Sequence, residues 1–102
     1  MKNIATTYFP KVADVRKAAK TIRQVAEVTP LMESIRYASE YNASILLKRE
    51  DLHRVRSYKI RGAFNKISSL SAAQLERGVV CASAGNHAQG VAFACNHLGV
   101  KG

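Results

Sequence analysis

The spacing of apolar and polar residues along the chain predicts helices joined by short segments. An amphipathic helix is predicted from Val12 to about Val28, because apolar residues recur at helical spacing with charged residues mostly on the other side. Thr29-Pro30 ends this helix, since the residue before a proline avoids helical geometry. The same spacing predicts a helix from about Tyr58 to Leu70, with Ser57 as its N-cap.

The segments between the long helices include short β-prone runs. Strands are predicted at 31–35, at SILLK (44–48) and at the buried run VVCA (79–82). Further helices are predicted at 36–41 and at AAQLER (72–77). Another helix is predicted over HAQGVAFACNHLG after the turn SAGN, with an inner stripe formed by Ala88, Val91, Ala92, Cys95 and Leu98. The alternation of helix and strand indicates an α/β fold with a largely parallel sheet.

The predicted organisation is an irregular arm at 1–11 followed by an α/β segment at 12–102. Two or three short strands with helices on both faces would leave much apolar surface uncovered. We therefore expect the chain to be the opening part of a larger protein.

The composition fits one small domain, with 102 residues of which 47% are hydrophobic. No run approaches the roughly 20 apolar residues of a membrane helix, and the N-terminus has no secretory apolar block. A cytoplasmic protein that does not bind membranes is expected. Cys81 and Cys95 have no zinc-type spacing, so we expect no metal site and interpret both as small buried residues in a reducing compartment.

The net charge of +9, from 16 basic and 7 acidic residues, favours an anionic ligand or a polyanionic partner. A nucleic-acid-binding module is therefore an alternative, and it rests on the basic residues Lys48, Arg49, Arg54, Arg56, Lys59 and Arg61. These cations are interleaved with Glu50 and Asp51, and no helix-turn-helix or aromatic platform organises them. A solvated charged face is the simpler interpretation, and we expect no nucleic-acid partner.

The stretch SYKIRG (57–62) places a lysine at the start of a predicted helix. A helix N-terminus disfavours an ammonium group, and desolvation beside Tyr58 acts in the same direction. Both effects favour the neutral amine that an aldehyde-binding lysine needs. Taken alone, an ordinary exposed lysine explains Lys59 equally simply.

The stretch SAGNHAQG (83–90) follows a predicted strand and opens a predicted helix. Gly85 permits a tight turn, and the N–H groups at the helix start form an anion site. A capped polar turn explains this stretch if it stands alone. Because both SYKIRG and SAGNHAQG follow strands, we expect them to meet at the carboxyl edge of the sheet, where ligands of α/β sheets bind.

KREDLHRVRSYKIRGAFNKI together with SAGNHAQGVAFACNHLG resembles the N-terminal part of the threonine dehydratases, also called threonine ammonia-lyases. These are fold-type-II (tryptophan-synthase-β-like) pyridoxal-phosphate enzymes. The resemblance runs from about Val12 to Gly102 and implies part of a three-layer parallel-sheet catalytic domain. Pyridoxal 5'-phosphate and an amino-acid substrate are the implied ligands, and the full-length protein is expected to form a homo-oligomer.

The resemblance also implies roles for individual residues. Lys59 would bond to the cofactor aldehyde and remove the substrate α-proton, with Tyr58 beside the cofactor ring. Asn86 would hydrogen-bond the ring hydroxyl. The substrate carboxylate would be held by Ser83, Gly85, Asn86 and His87. His53 stands where related sequences often have Gln, and no function is assigned to that difference.

The implied reaction converts threonine or serine to a 2-oxo acid and ammonia, in isoleucine biosynthesis or in threonine catabolism. Serine racemase, threonine synthase, hydroxyaspartate dehydratase and a decayed pseudo-enzyme stay open as alternatives. The family's glycine-rich phosphate loop has no counterpart in the sequence. We therefore expect the 102-residue chain alone to bind the cofactor weakly and not to turn over threonine.

Overall fold

The computed structural model describes residues 8–102. The described elements are α1 (Val12–Ile22), β1 (Leu31–Glu33), α2 (Ile35–Tyr41), β2 (Leu46–Lys48), a 3-10 turn (Glu50–Leu52), α3 (Lys59–Ser68), α4 (Ala72–Arg77) and α5 (Asn86–Leu98). Of the predicted arm at 1–11, only 8–11 are described, and they are irregular. The rest of that prediction lies outside the described residues.

The core forms where α3 packs against α5. Its buried residues are Ala63, Phe64 and Ile67 from α3 and Val91, Ala94 and Cys95 from α5. Ile22 at the end of α1 and Leu75 in α4 pack against this cluster from outside. On α5 the predicted inner position Ala92 is exposed and Ala94 is buried instead. The two motif-bearing helices therefore form the centre of the described fold.

Three helix ends follow the capping chemistry of the sequence. The Ser71 side chain accepts a hydrogen bond from the Gln74 N–H and the Gln74 side chain accepts one from the Ser71 N–H, which forms a capping box at α4. Asn42 adopts a left-handed conformation (φ 46°) at the end of α2. Gly99 does the same (φ 67°) after α5.

The first helix is shorter than predicted, because α1 ends at Ile22 rather than near Val28. The reason is the segment that follows it. Thr29 is buried, its hydroxyl donates to Glu50 Oε1 (2.5 Å), and its carbonyl accepts from Lys48 Nζ (2.5 Å). These contacts hold residues 26–29 in a non-helical course toward β2.

The strands differ in two ways from the sequence prediction. β1 and β2 pair antiparallel, with Leu31 opposite Lys48, and no parallel pair occurs in residues 8–102. The prediction of a buried strand at 79–82 is wrong. Val79 N–H donates to the Lys101 carbonyl (2.8 Å), which is a single hydrogen bond, and Val80 is 98% exposed. Without a paired neighbouring strand, VVCA stays irregular.

Cys81 lies in this irregular segment and is exposed, so its interpretation as a small buried residue is wrong. Cys95 is buried, as predicted. Burial raises the pKa of the Cys95 thiol, and the nearby Cys81 adds to that increase. No helix in the described part of the chain is both long enough and apolar enough to cross a membrane.

Candidate functional site

A cleft of about 470 Å³ lies between α3, along its whole length, and the segment leading into α5. Its polar wall contains Lys59, Lys66 and His87, and its apolar wall includes Ile67 and Val91. None of the described residues that line it is acidic. A cleft of this size with an apolar wall and a few cationic groups suits a small anionic ligand that carries a ring.

Lys59 is the first residue of α3 and is half-buried. Its N–H donates to the Ser57 hydroxyl (3.3 Å), although Tyr58 occupies the N-cap position that the sequence assigned to Ser57. Its Nζ lies 4.8 Å from the centroid of the Tyr58 ring. Tyr58 is itself 59% exposed, so it covers the lysine on one side only.

The turn SAGN presents α5 to the cleft. The Ser83 hydroxyl accepts hydrogen bonds from the N–H groups of Gly85 and Ala88 (both 3.3 Å), and so caps the helix. His87, the second residue of α5, lines the cleft. Ser83, Gly85 and Asn86 lie in the preceding turn and at the helix start, and they are not among the residues that line it. The structure thus brings Lys59, Tyr58 and His87 into one cleft.

The two motifs meet through helix packing rather than at a sheet edge, contrary to the prediction. A Cβ placed on Gly90 would lie 3.0 Å from the carbonyl oxygen of Lys59 and 3.3 Å from Ala63 Cβ. Gly90 therefore lets α5 approach the first turn of α3 to a distance that a larger residue would prevent. The glycine that ends SAGNHAQG is what places His87 and Lys59 at the same cleft.

A polar cluster behind α3 was missed in the sequence interpretation. Glu50, assigned there to a solvated charged face, accepts from Arg61 Nε (2.6 Å) and Arg61 Nη2 (2.9 Å). Thr29 and His53 complete the cluster, and they are 5% and 1% exposed. The Arg61 guanidinium lowers the pKa of Glu50 to about 2, helped by hydrogen bonds from Thr29 and His53. The sequence contains one sign of this pair. Glu50 precedes the predicted helix that starts near Tyr58, and Arg61 follows it by eleven positions in the first turn of that helix.

The basic residues behind the nucleic-acid alternative are partly neutralised within the chain. Arg61 is paired with Glu50, and Arg49 donates to both oxygens of Asp51 (2.8 and 2.7 Å). An arginine held by a carboxylate is a poor phosphate contact. Among the described residues, no group of three or more His, Cys, Asp or Glu side chains could hold a metal ion.

Comparison with known proteins assigns the family. The model of the family described as "Pyridoxal-phosphate dependent enzyme" matches residues 22–102, so the chain belongs to this family. The α/β fold class and the expectation of pyridoxal phosphate as cofactor are thereby confirmed.

Among individual relatives, the chain is 53% identical over 92 residues to the biosynthetic L-threonine dehydratase IlvA of Bacillus subtilis, covering 90% of this chain and 22% of the relative. It is 56% identical over 90 residues to the enzyme of the same name from Mycobacterium bovis, covering 88% and 21%. The resemblance to threonine dehydratases is thus confirmed. The chain spans about a fifth of the length of these curated relatives.

Solved structures agree with this assignment. The T.th. threonine deaminase superposes with a TM-score of 0.79 and 38% identity, covering 90% of this chain and 32% of that one. Maize serine racemase superposes with a TM-score of 0.84 and 33% identity, covering 91% and 29%.

Proposed function

We propose that this chain is the N-terminal segment of the catalytic domain of a pyridoxal-phosphate-dependent lyase that deaminates L-threonine or L-serine. The observation that supports this most is the shared cleft of Lys59 and His87, which the close contact of Gly90 with the Lys59 backbone creates. The named relatives are threonine dehydratases, and they support threonine as the substrate. The protein is proposed to act in the cytoplasm and, at full length, as a homo-oligomer.

The residues of the cleft fit the cofactor. Its cationic and apolar walls suit a phosphorylated aromatic aldehyde, and Lys59 offers an amine next to the Tyr58 ring. When bound, pyridoxal phosphate supplies an electron sink for the electrons left on the substrate α-carbon after proton removal. Lys59 is proposed to bond to the aldehyde and to take that proton, and Asn86 to hydrogen-bond the ring hydroxyl.

The start of α5 is proposed to hold the substrate carboxylate. Helix geometry leaves the N–H groups of Asn86 and His87 without an intrahelical acceptor, and they point toward any anion placed at that end. Ser83 uses its oxygen as an acceptor for the helix cap, so its O–H is available as a donor. Gly85 adds conformational room in the same turn, while its N–H donates to the Ser83 hydroxyl.

A chimeric enzyme tests the proposal. The matched 92 residues of the Bacillus subtilis dehydratase are replaced by those of this chain, and formation of 2-oxobutanoate from L-threonine is measured. We expect an active chimera whose rate falls by about three orders of magnitude or more with Lys59→Ala, because the covalent amine is lost. Lys20→Ala, at an exposed lysine of α1 away from the cleft, is the control. A Lys59→Ala chimera as active as its parent would refute the proposal.

The isolated chain is expected to behave differently from the chimera. Its sequence holds no glycine-rich loop for the cofactor phosphate, so we expect weak cofactor binding and no ammonia from threonine. Measurable deamination of threonine by the purified chain would contradict this expectation.

Serine racemase activity is a second candidate, favoured by the TM-score of 0.84 with the maize enzyme. A second chimera, in which this chain replaces the matching segment of the maize enzyme, distinguishes the two activities when L-serine is supplied. Racemase activity would yield D-serine, whereas lyase activity yields pyruvate and ammonia.

A further inference from the structure

The carboxylate of Glu50 is the most fully hydrogen-bonded side chain near the cleft. Its Oε1 accepts from Thr29 Oγ1 (2.5 Å) and Arg61 Nη2 (2.9 Å). Its Oε2 accepts from Arg61 Nε (2.6 Å) and lies 3.1 Å from His53 Nε2. The two bonds from Arg61 form a bidentate pair, a geometry that fixes both the distance and the orientation of the guanidinium.

These contacts join separate segments to the first turn of α3. Thr29 precedes β1, Glu50 opens the 3-10 turn, His53 follows that turn, and Arg61 is the third residue of α3. Arg61 Nη2 also donates to the Glu27 carbonyl (3.4 Å). The start of α3 is thus held from the side opposite the cleft.

Helix geometry transmits this restraint to Lys59. Residues two apart on an α-helix are rotated by about 200° relative to each other, so they project on nearly opposite sides. With Arg61 held by Glu50 on one side, Lys59 projects toward the cleft on the other. Gly90 of α5 packs against the Lys59 carbonyl. The helix start is therefore held between Glu50 and Gly90.

A second lysine competes for the same space. Lys66 also lines the cleft, and residues seven apart lie on nearly the same helix face. Lys66 is exposed, whereas Lys59 is half-buried. We therefore expect the orientation of the first turn of α3 to decide whether the Lys59 or the Lys66 amine reacts with an aldehyde in the cleft.

We propose that Glu50, through its bidentate pair with Arg61, is a positioning residue that directs the Lys59 amine, rather than that of Lys66, to the cofactor aldehyde. This inference rests on the proposed function, in which Lys59 is the reacting amine. In the step concerned, the neutral Lys59 amine bonds to the aldehyde carbon, and the oxygen leaves as water with the two amine hydrogens.

The experiment measures which lysine reacts in the 102-residue chain. The chain is incubated with pyridoxal 5'-phosphate and reduced with borohydride, which adds hydride to the former aldehyde carbon while water protonates the nitrogen. Peptide mass spectrometry then gives the ratio of label on Lys59 to label on Lys66. We expect Glu50→Gln to lower this ratio about tenfold, since a neutral amide orients the guanidinium more weakly than a carboxylate.

Matched variants separate positioning from a general loss of stability. Asp51→Asn removes the neighbouring exposed pair with Arg49 and should leave the ratio unchanged. Leu75→Val weakens the core away from the cleft and should also leave it unchanged, even where unfolding in urea shows a comparable loss of stability. Arg61→Lys keeps the charge but loses the bidentate geometry, so it should lower the ratio as Glu50→Gln does.

The outcomes separate the positioning role from the proposed function. An unchanged ratio in a folded Glu50→Gln chain overturns the positioning role and leaves the proposed function intact. If circular dichroism shows that Glu50→Gln does not fold, the ratio of Arg61→Lys decides in its place. A ratio that falls equally with Leu75→Val also overturns the positioning role. Equal labelling of Lys59 and Lys66 in the native chain overturns the positioning role as well, whereas the proposed function is tested separately by the Lys59→Ala chimera.

Discussion

Gly90 of α5 faces the backbone carbonyl of Lys59 so closely that a methyl group at residue 90 would lie 3.0 Å from the carbonyl oxygen. This contact joins the two sequence motifs, because it sets the distance between the helix that begins at Lys59 and the helix that carries His87. The cleft that both residues line depends on it.

Gly90→Ala tests this contact directly. Overpacking of this kind costs about 1–3 kcal/mol, against a helix-propensity gain of roughly 0.5–1 kcal/mol. We expect a net loss of stability in urea unfolding. Gly62→Ala is the matched control, because Gly62 is also inside a helix and a Cβ there meets nothing within 4 Å. Gly62→Ala should stabilise the chain, and equal stabilisation by both variants would show that α3 and α5 are not in close contact.

The Glu50 carboxylate predicts a pH dependence of stability. Its pKa is lowered from the ordinary value of 4.5 to about 2, first by Arg61 and then by Thr29 and His53. A group with a lowered folded-state pKa stabilises the fold above its unfolded-state pKa, and this contribution is lost as pH falls from about 4.5 to about 2. For a carboxylate that solvent still reaches, the contribution is on the order of 2 kcal/mol.

Urea unfolding of the native chain and Glu50→Gln between about pH 7 and about pH 2.5 measures this contribution. The native chain should be the more stable of the two at neutral pH, and the difference should shrink through the acid window. Asp51→Asn is the control, since its exposed pair with Arg49 contributes little. A difference between native and Glu50→Gln chains that stays constant with pH would contradict the Glu50–Arg61 pairing.

The backbone conformation of Arg56 leads us to expect that glycine at this position stabilises the fold. It has a φ of 57°, in the left-handed region that favours glycine, immediately before Ser57. Arg56→Gly should relieve about 1–2 kcal/mol of conformational cost, offset partly by the greater freedom of glycine in the unfolded chain. We expect a small net gain in thermal stability. Arg54→Gly, at a residue without positive φ, should destabilise, and a loss in both variants would contradict the strain at Arg56.

The two cysteines should differ in reactivity. Cys81 is exposed at the cleft, whereas Cys95 is buried and burial raises the pKa of its thiol. Because the thiolate is the reactive form, an alkylating reagent should modify Cys81 at least about tenfold faster than Cys95. Cys81→Ser should remove the fast phase and Cys95→Ser the slow one. Two equally fast thiols would show that the α3–α5 core is open in solution.

Local patterns in the sequence predicted most of the helices. The capping box at Ser71, the left-handed Asn42 and the glycine after α5 show why, because each helix end is determined by contacts within a few residues. Contacts between distant residues were not predictable in this way. The Glu50–Arg61 pair and the Gly90–Lys59 approach depend on how segments pack, and the end of α1 depends on Thr29 reaching Glu50. A strand at 79–82 needs a paired neighbour, which its own apolar residues do not specify.

The central claim is that the Lys59 amine, in the cleft between α3 and α5, is the group that bonds to pyridoxal phosphate. Titration of the chain with pyridoxal 5'-phosphate, followed by visible absorbance, tests it most directly. We predict a new absorbance band that persists in Lys66→Ala and disappears in Lys59→Ala. A band of unchanged intensity in a folded Lys59→Ala chain would contradict the claim.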